Sequence, residues 1–166
     1  MLSTTTDIHD VIRRLRSRRD NVRTAIWLAP PRLWGREIDE AARLGVDPAD
    51  ARGPLLAALL PGQRLLGLDE ERILTALDAI AAAPAPTDCS LVYNFDLLVA
   101  RLGSQARDAL WETLFRSFPK RRALLIALPH QATSLLPAAG RLAIWRREGR
   151  LAEIEYSSGG TDAENR

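Results

Sequence analysis

Two short stretches hold the side chains that could do chemistry. Residues 24–37 read Thr-Ala-Ile-Trp-Leu-Ala-Pro-Pro-Arg-Leu-Trp-Gly-Arg-Glu, an apolar run that enters a turn and then a helix. The spacing is that of the phosphate-loop pattern G-x-x-x-x-G-K-[ST], in which backbone N–H groups cradle phosphates, a lysine reaches their far oxygens and a hydroxyl holds magnesium. Set against that pattern, Pro30 takes the first glycine, Gly35 the second, Arg36 the lysine and Glu37 the hydroxyl residue. Proline lacks an N–H and fixes φ, so Pro30 and Pro31 remove two donors and stiffen the loop. Glu37 adds negative charge beside the β- and γ-phosphate positions, and repulsion is the expected result. Arg36 keeps a cation there, always charged and bidentate, but different from lysine in length and planarity.

The other half of such a site is a metal-positioning carboxylate at the end of a neighbouring strand. In Leu91-Val-Tyr-Asn-Phe-Asp-Leu-Leu that place falls on Tyr93 or Asn94, and Asp96 comes two or three residues late. Asn94 can orient a water or cap the following turn, but it cannot supply the charge that holds Mg²⁺. Asp96 reads first as the cap of a helix over 97–102 and second as a displaced metal or water ligand. His130 follows the apolar run 123–128 at its carboxyl end, where α/β proteins gather site residues. It is therefore a candidate for sensing or contacting a ligand, set against the plainer reading of a surface-loop histidine. No catalytic residue and no metal ligand set is assigned, because one cysteine, Cys89, and two distant histidines, His9 and His130, do not make a zinc site.

The elements that must position these residues are legible from periodicity. A helix is predicted over 7–22, with Thr6 or Asp7 as N-cap and Ile8, Val11, Ile12 and Leu15 on its buried stripe. Its other face carries Arg13, Arg14, Arg16, Arg18 and Arg19, candidates for contact with phosphates or acidic protein surface, or a solvated face. A strand over 23–28 leads into the loop, and a helix opening near Gly35 should stop at Gly45 in the C′ position. Breakers crowd 48–62, so 55–60 is at best a short apolar helix, and residues 46–47 read as a connection. Carboxylates at 69–71 open a helix whose stripe is Ile73, Leu74, Leu77, Ile80 and Ala81. A strand over 91–93, a helix over 104–118 capped by Ser104, and a strand over 123–128 follow. The last is apolar on both faces, as a central parallel strand should be.

Residues 141–154 read as a hairpin turning at 147–150, with a short helix over 142–147 as the competing reading. Trp34 in the loop and Trp145 near the basic hairpin are interface candidates, whereas Trp111 belongs in a core. Together these elements predict an α/β three-layer sandwich with a mostly parallel central sheet, of the P-loop NTPase kind, plus a small C-terminal hairpin. One domain over 1–156 and a disordered polar tail over 157–166 complete the expectation.

Composition narrows the classes. The 166-residue chain carries a formal charge of +2 and a pI near 9.2, which allows nucleic-acid binding without implying it. A lone cysteine cannot form an internal disulfide, the first residues lack a leader's apolar segment, and no apolar run reaches about 18 residues. A cytoplasmic protein that does not span a membrane is expected.

In order and pattern, the chain resembles the small P-loop proteins called BrxF of the bacterial BREX phage-defence systems. The resemblance runs over most of residues 7–154: the basic N-terminal helix, Thr24-Ala-Ile-Trp-Leu-Ala-Pro-Pro, the leucine-rich middle, Leu91-Val-Tyr-Asn-Phe-Asp-Leu-Leu and Ala123-Leu-Leu-Ile-Ala-Leu-Pro. It implies an AAA-like ATP-binding core within a larger defence complex. The chain departs from that pattern at Pro30, Arg36, Glu37 and Tyr93. The expectation is therefore a non-catalytic subunit without a cofactor that binds protein partners in an antiviral-defence or DNA-transaction complex, with homo-oligomerisation open. The alternatives are a divergent NTPase using ATP and magnesium, with Arg36 as phosphate clamp, and a nucleic-acid-binding adaptor using residues 13–19 and 120–122.

Overall fold

The computed structural model describes residues 6–17, 22–64, 67–118 and 122–153. Helix α1 (Ile8–Arg16) starts at Asp7, whose side chain accepts from the His9 N–H, and buries Val11, Ile12 and Leu15. Strand β1 (Thr24–Ala29) follows and is buried along its whole length. A 3₁₀ turn (Pro31–Leu33) then leads to α2 (Glu37–Leu44), which ends at Gly45 with φ of 68°, the left-handed stop expected of a C-terminal glycine.

The connection expected after Gly45 is instead strand β2 (Asp47–Asp50), with Pro48 inside it. It lies at the sheet edge, where a residue without an N–H is tolerated because one side of the strand makes no ladder bonds. Helix α3 (Gly53–Ala57) and helix α4 (Glu70–Ala82) come next, the latter capped by the Asp69 carboxylate accepting from the Arg72 N–H at 2.9 Å. Strand β3 (Cys89–Tyr93) runs into α5 (Phe95–Val99), which begins earlier than the sequence predicts. Helix α6 (Ser104–Arg116) has Gly103, not Ser104, at its N-cap. Strand β4 (Ala123–Pro129), a 3₁₀ turn (Thr133–Leu135), helix α7 (Ala139–Arg147) and strand β5 (Leu151–Ala152) complete the described chain.

All five strands are parallel, in the order β2-β3-β4-β1-β5, and helices cover both faces of the sheet. The predicted C-terminal hairpin is therefore corrected: α7 crosses over to a fifth strand parallel to β1. The Glu148-Gly149 pair that signals a hairpin turn here ends a helix, with Gly149 at φ of 66°. Packing decides between the two, because the helix drives Trp145 edge-on against Trp111 and Phe115, with ring centroids 6.0 and 5.1 Å away.

Side chains alternate between two cores. Ile26, Leu28, Val92, Leu124, Ile126 and Leu128 face α4 to α7. Ala25, Trp27, Ala29, Leu91, Leu125 and Ala127 face α1 and α2. A tryptophan in the middle of a parallel sheet needs space, and Trp27 has it. Its register partners on either side are Ala127 and Ala152, and its neighbours along the strand's face are Ala25 and Ala29.

The crossovers have a consequence for function. Leaving β1, the chain passes to the α1–α2 face on its way to the far edge. The later crossovers, including the one from β4 to β5, pass over the other face. At the carboxyl ends of the adjacent strands β1 and β4 the chain thus departs to opposite sides, and this topological switch point is where open α/β sheets form their ligand crevice.

Candidate functional site

The carboxyl ends of the strands carry several of the residues singled out above, at two places along the sheet. Pairing of Ala29 with Pro129 sets Pro30 beside His130, and pairing of Asp50 with Tyr93 sets Asn94 beside the end of β2. His130 is half-buried in the turn after β4, with Nδ1 shut off from solvent.

The loop after β1 is closed upon itself. Pro30 is extended, at φ of −69° and ψ of 157°, and its carbonyl accepts from the Leu33 N–H at 3.0 Å. The Trp34 N–H donates to the Pro31 carbonyl at 3.3 Å and the Arg36 N–H to the Leu33 carbonyl at 2.9 Å. Gly35, at φ of 84°, donates its N–H to Oε1 of Glu37 at 3.0 Å. From Leu33 to Arg36 every backbone N–H is thus bonded within the segment, whereas a phosphate cradle needs those groups turned outward together. The Glu37 carboxylate lies at the start of α2 with Asp39 and Glu40, so the positive end of the helix dipole is matched by its own acidic side chains. Arg36 is exposed and Leu33 is fully buried, pinning the turn to the core under α2. Trp34 is half-buried against that same core.

Beside this loop lies a second polar cluster. Asn94 adopts the left-handed conformation at φ of 58° and donates from Nδ2 to Oδ2 of Asp50 at 3.0 Å. Arg52 reaches the same carboxylate twice, Nε to Oδ1 at 3.1 Å and Nη2 to Oδ2 at 2.7 Å, while its own N–H donates to Oδ1 at 2.9 Å. The Arg52 side-chain bonds, opposed by partial burial and helped by Asn94, hold the Asp50 carboxyl below its ordinary range. Partial burial, with the negative charges of Asp50 and Glu37 nearby, pushes the Tyr93 phenol up.

Asp50 and Arg52 are functional candidates that the sequence reading passes over, because Pro48 marks their segment as a breaker. The available signal is an aspartate followed two residues on by an N–H it can bind, an Asx-type turn. Asp96, expected to cap the following helix, sits inside α5, and Asn94 occupies the capping position without a side-chain bond to the helix. Among the described residues no group of three or more His, Cys, Asp or Glu side chains could hold a metal, and no helix is long and apolar enough to cross a membrane.

The interaction candidates divide. Arg13 and Arg14 are exposed on α1, Arg13 paired with Asp10 at 2.7 Å. Arg16 is spent inside the fold: Nε donates to Oδ1 of Asp88 at 3.1 Å and Nη2 to the Gly45 carbonyl. Trp145, expected at an interface, is 1 % exposed and belongs to the core, as does Trp111. Arg18, Arg19, Lys120, Arg121 and the tail over 157–166 lie outside the described residues. Among protein-family models, curated proteins and solved structures, none matches the chain.

Proposed function

We propose that this protein is a non-catalytic subunit, built on a P-loop-like α/β scaffold, that binds protein partners. The observation that carries this reading is the closed loop after β1, where Glu37 takes the Gly35 N–H that a phosphate would need and two prolines stand where donors should be. Asn94 supports it, since at the end of β3 it is neutral and turned onto Asp50 rather than charged and aimed at a metal. The apolar surface fits a protein-binding role. Ile38, Leu56, Leu60 and Leu97 are 48 to 66 % exposed, and each stands on or just after a helix that leaves the carboxyl end of β1, β2 or β3. The resemblance to BrxF proteins points to a phage-defence complex as the setting.

The test is a calorimetric titration of the full chain with ATP, with and without Mg²⁺. No binding heat and no rise in Tm are expected. ATP binding accompanied by hydrolysis that Arg36→Ala abolishes would overturn the proposal in favour of a divergent NTPase. The protein-binding part is read separately: partners retained by the wild-type chain should be lost with Ile38→Asp and Leu97→Asp, both exposed changes that leave Tm unchanged.

A further inference from the structure

At the opposite end of the sheet, beside the start of β5, lies a groove that the closed loop does not explain. A depression of about 430 Å³ is lined by five arginines, Arg14, Arg116, Arg141, Arg147 and Arg150, with Glu148 as the single carboxylate among the described residues. It shares Phe115, Arg141 and Ile144 with a second depression of about 460 Å³ between α6 and α7. The second is lined by Pro137, Ala138 and the buried Trp111 and Trp145, and it also carries the carboxylates of Asp108 and Glu112.

The arginines come from separate elements and each is placed by the fold. Arg14 reaches over from α1 and packs on the Gly149 turn, its Cδ 3.4 Å from where a Cβ would stand. Arg150 forms the floor, 7 % exposed, with its guanidinium 4.5 Å from the Phe115 ring centroid and 4.6 Å from that of Trp145. It donates to the carbonyls of Thr24, Leu114 and Phe115 and to the Thr24 hydroxyl. Arg116 and Arg141 meet across the junction on one carboxylate, Glu112, the latter at 3.2 Å. Arg147 is 74 % exposed and reaches Glu148 only at 3.8 Å.

From this arrangement we infer a binding site for a single strand of nucleic acid, its phosphates on Arg14, Arg116, Arg141 and Arg147 and one unstacked base in the depression between α6 and α7. Guanidinium groups pair with phosphate bidentately. Four of them drawn from three helices suit several phosphates of one chain better than the one phosphate of a modified peptide. The adjoining depression of about 460 Å³ has room for a base that has left the stack, which a duplex does not offer. Glu112 occupies Arg116 and Arg141 when no strand is present and competes with its phosphates. The inference does not depend on the loop after β1, and the two are tested with different probes.

Fluorescence polarisation of a labelled oligo-dT strand, titrated with the full chain, tests it. About four phosphate contacts predict an affinity falling about 50-fold between roughly 50 and 200 mM salt. Arg141→Glu and Arg147→Glu should each weaken binding at least about fivefold and flatten the salt dependence by about one unit of slope. Glu112→Gln should tighten binding by freeing both arginines, a gain that a merely structural role would not give. Arg64→Glu, exposed in the segment between α3 and α4, should change nothing. Absence of binding at low salt, equal binding of blunt duplex, tighter binding of a phosphopeptide, or indifference to both arginine changes would each overturn the inference.

Discussion

Glu37 competes with any incoming phosphate for the Gly35 N–H, and it does so from within the same turn, at no cost in association entropy. Removing it should open the loop without creating a nucleotide site. Glu37→Ala is expected to cost about 0.5–2 kcal/mol, as loss of a helix-terminal carboxylate bond does, and to leave ATP binding undetected because Pro30 and Pro31 still offer no donors. Urea unfolding and the ATP titration check both halves. Asp50 carries a pH signature of its own. Its charged form is held by Arg52 and Asn94 in the fold, so its folded pKa lies below the ordinary 3.8 that the unfolded chain restores. The stability it contributes is then complete above about pH 4 and is lost as pH falls through the lower folded value. Asp50→Asn should destabilise the protein at neutral pH, with the difference from wild type shrinking below pH 4 in acid-unfolding curves.

At the scale of elements, β1 and β4 are the frame, and their two faces are unlike. One face presents Ile26, Leu28, Ile126 and Leu128 to α4–α7, while the other presents alanines around Trp27. This asymmetry predicts a positional contrast. Ala127→Leu thrusts a larger side chain at Trp27 across the strand pair and should cost about 1–3 kcal/mol through overpacking. Ile126→Leu, a volume-conserving change one residue away on the other face, should cost less than about 1.5 kcal/mol. Thermal unfolding of the two variants compares them directly. Helix α7 and strand β5 depend on Arg150, whose buried guanidinium ties the carbonyls of β1 and α6 to the last strand.

Across the whole molecule the two proposed surfaces stand at opposite ends of the parallel strands, the exposed leucines and Ile38 near the carboxyl ends and the arginine groove beside the start of β5. They should therefore separate: Arg147→Glu leaves partner capture intact while weakening strand binding, and Ile38→Asp loses partner capture while leaving strand binding unchanged. Periodicity alone determined α1, α2, α4, α6 and the central, doubly apolar β4. The letters at 30, 36 and 37 set the expectation that a phosphate loop here would lack donors, a lysine and a hydroxyl. These are local properties, written in the spacing of apolar residues and in what a proline or a carboxylate can donate. Tertiary structure alone decided the rest. Pro48 hides β2 until the sheet edge excuses it, and with β2 went Asp50 and Arg52. Glu148-Gly149 serves a hairpin or a helix stop equally well until Trp145 finds Trp111 and Phe115. The five arginines are scattered over residues 14–150 and converge only because β5 pairs with β1 and brings α1, α6 and α7 to one corner. Sequence spacing carries information about neighbours on one element, and such a groove is made by elements that only the packed core sets side by side.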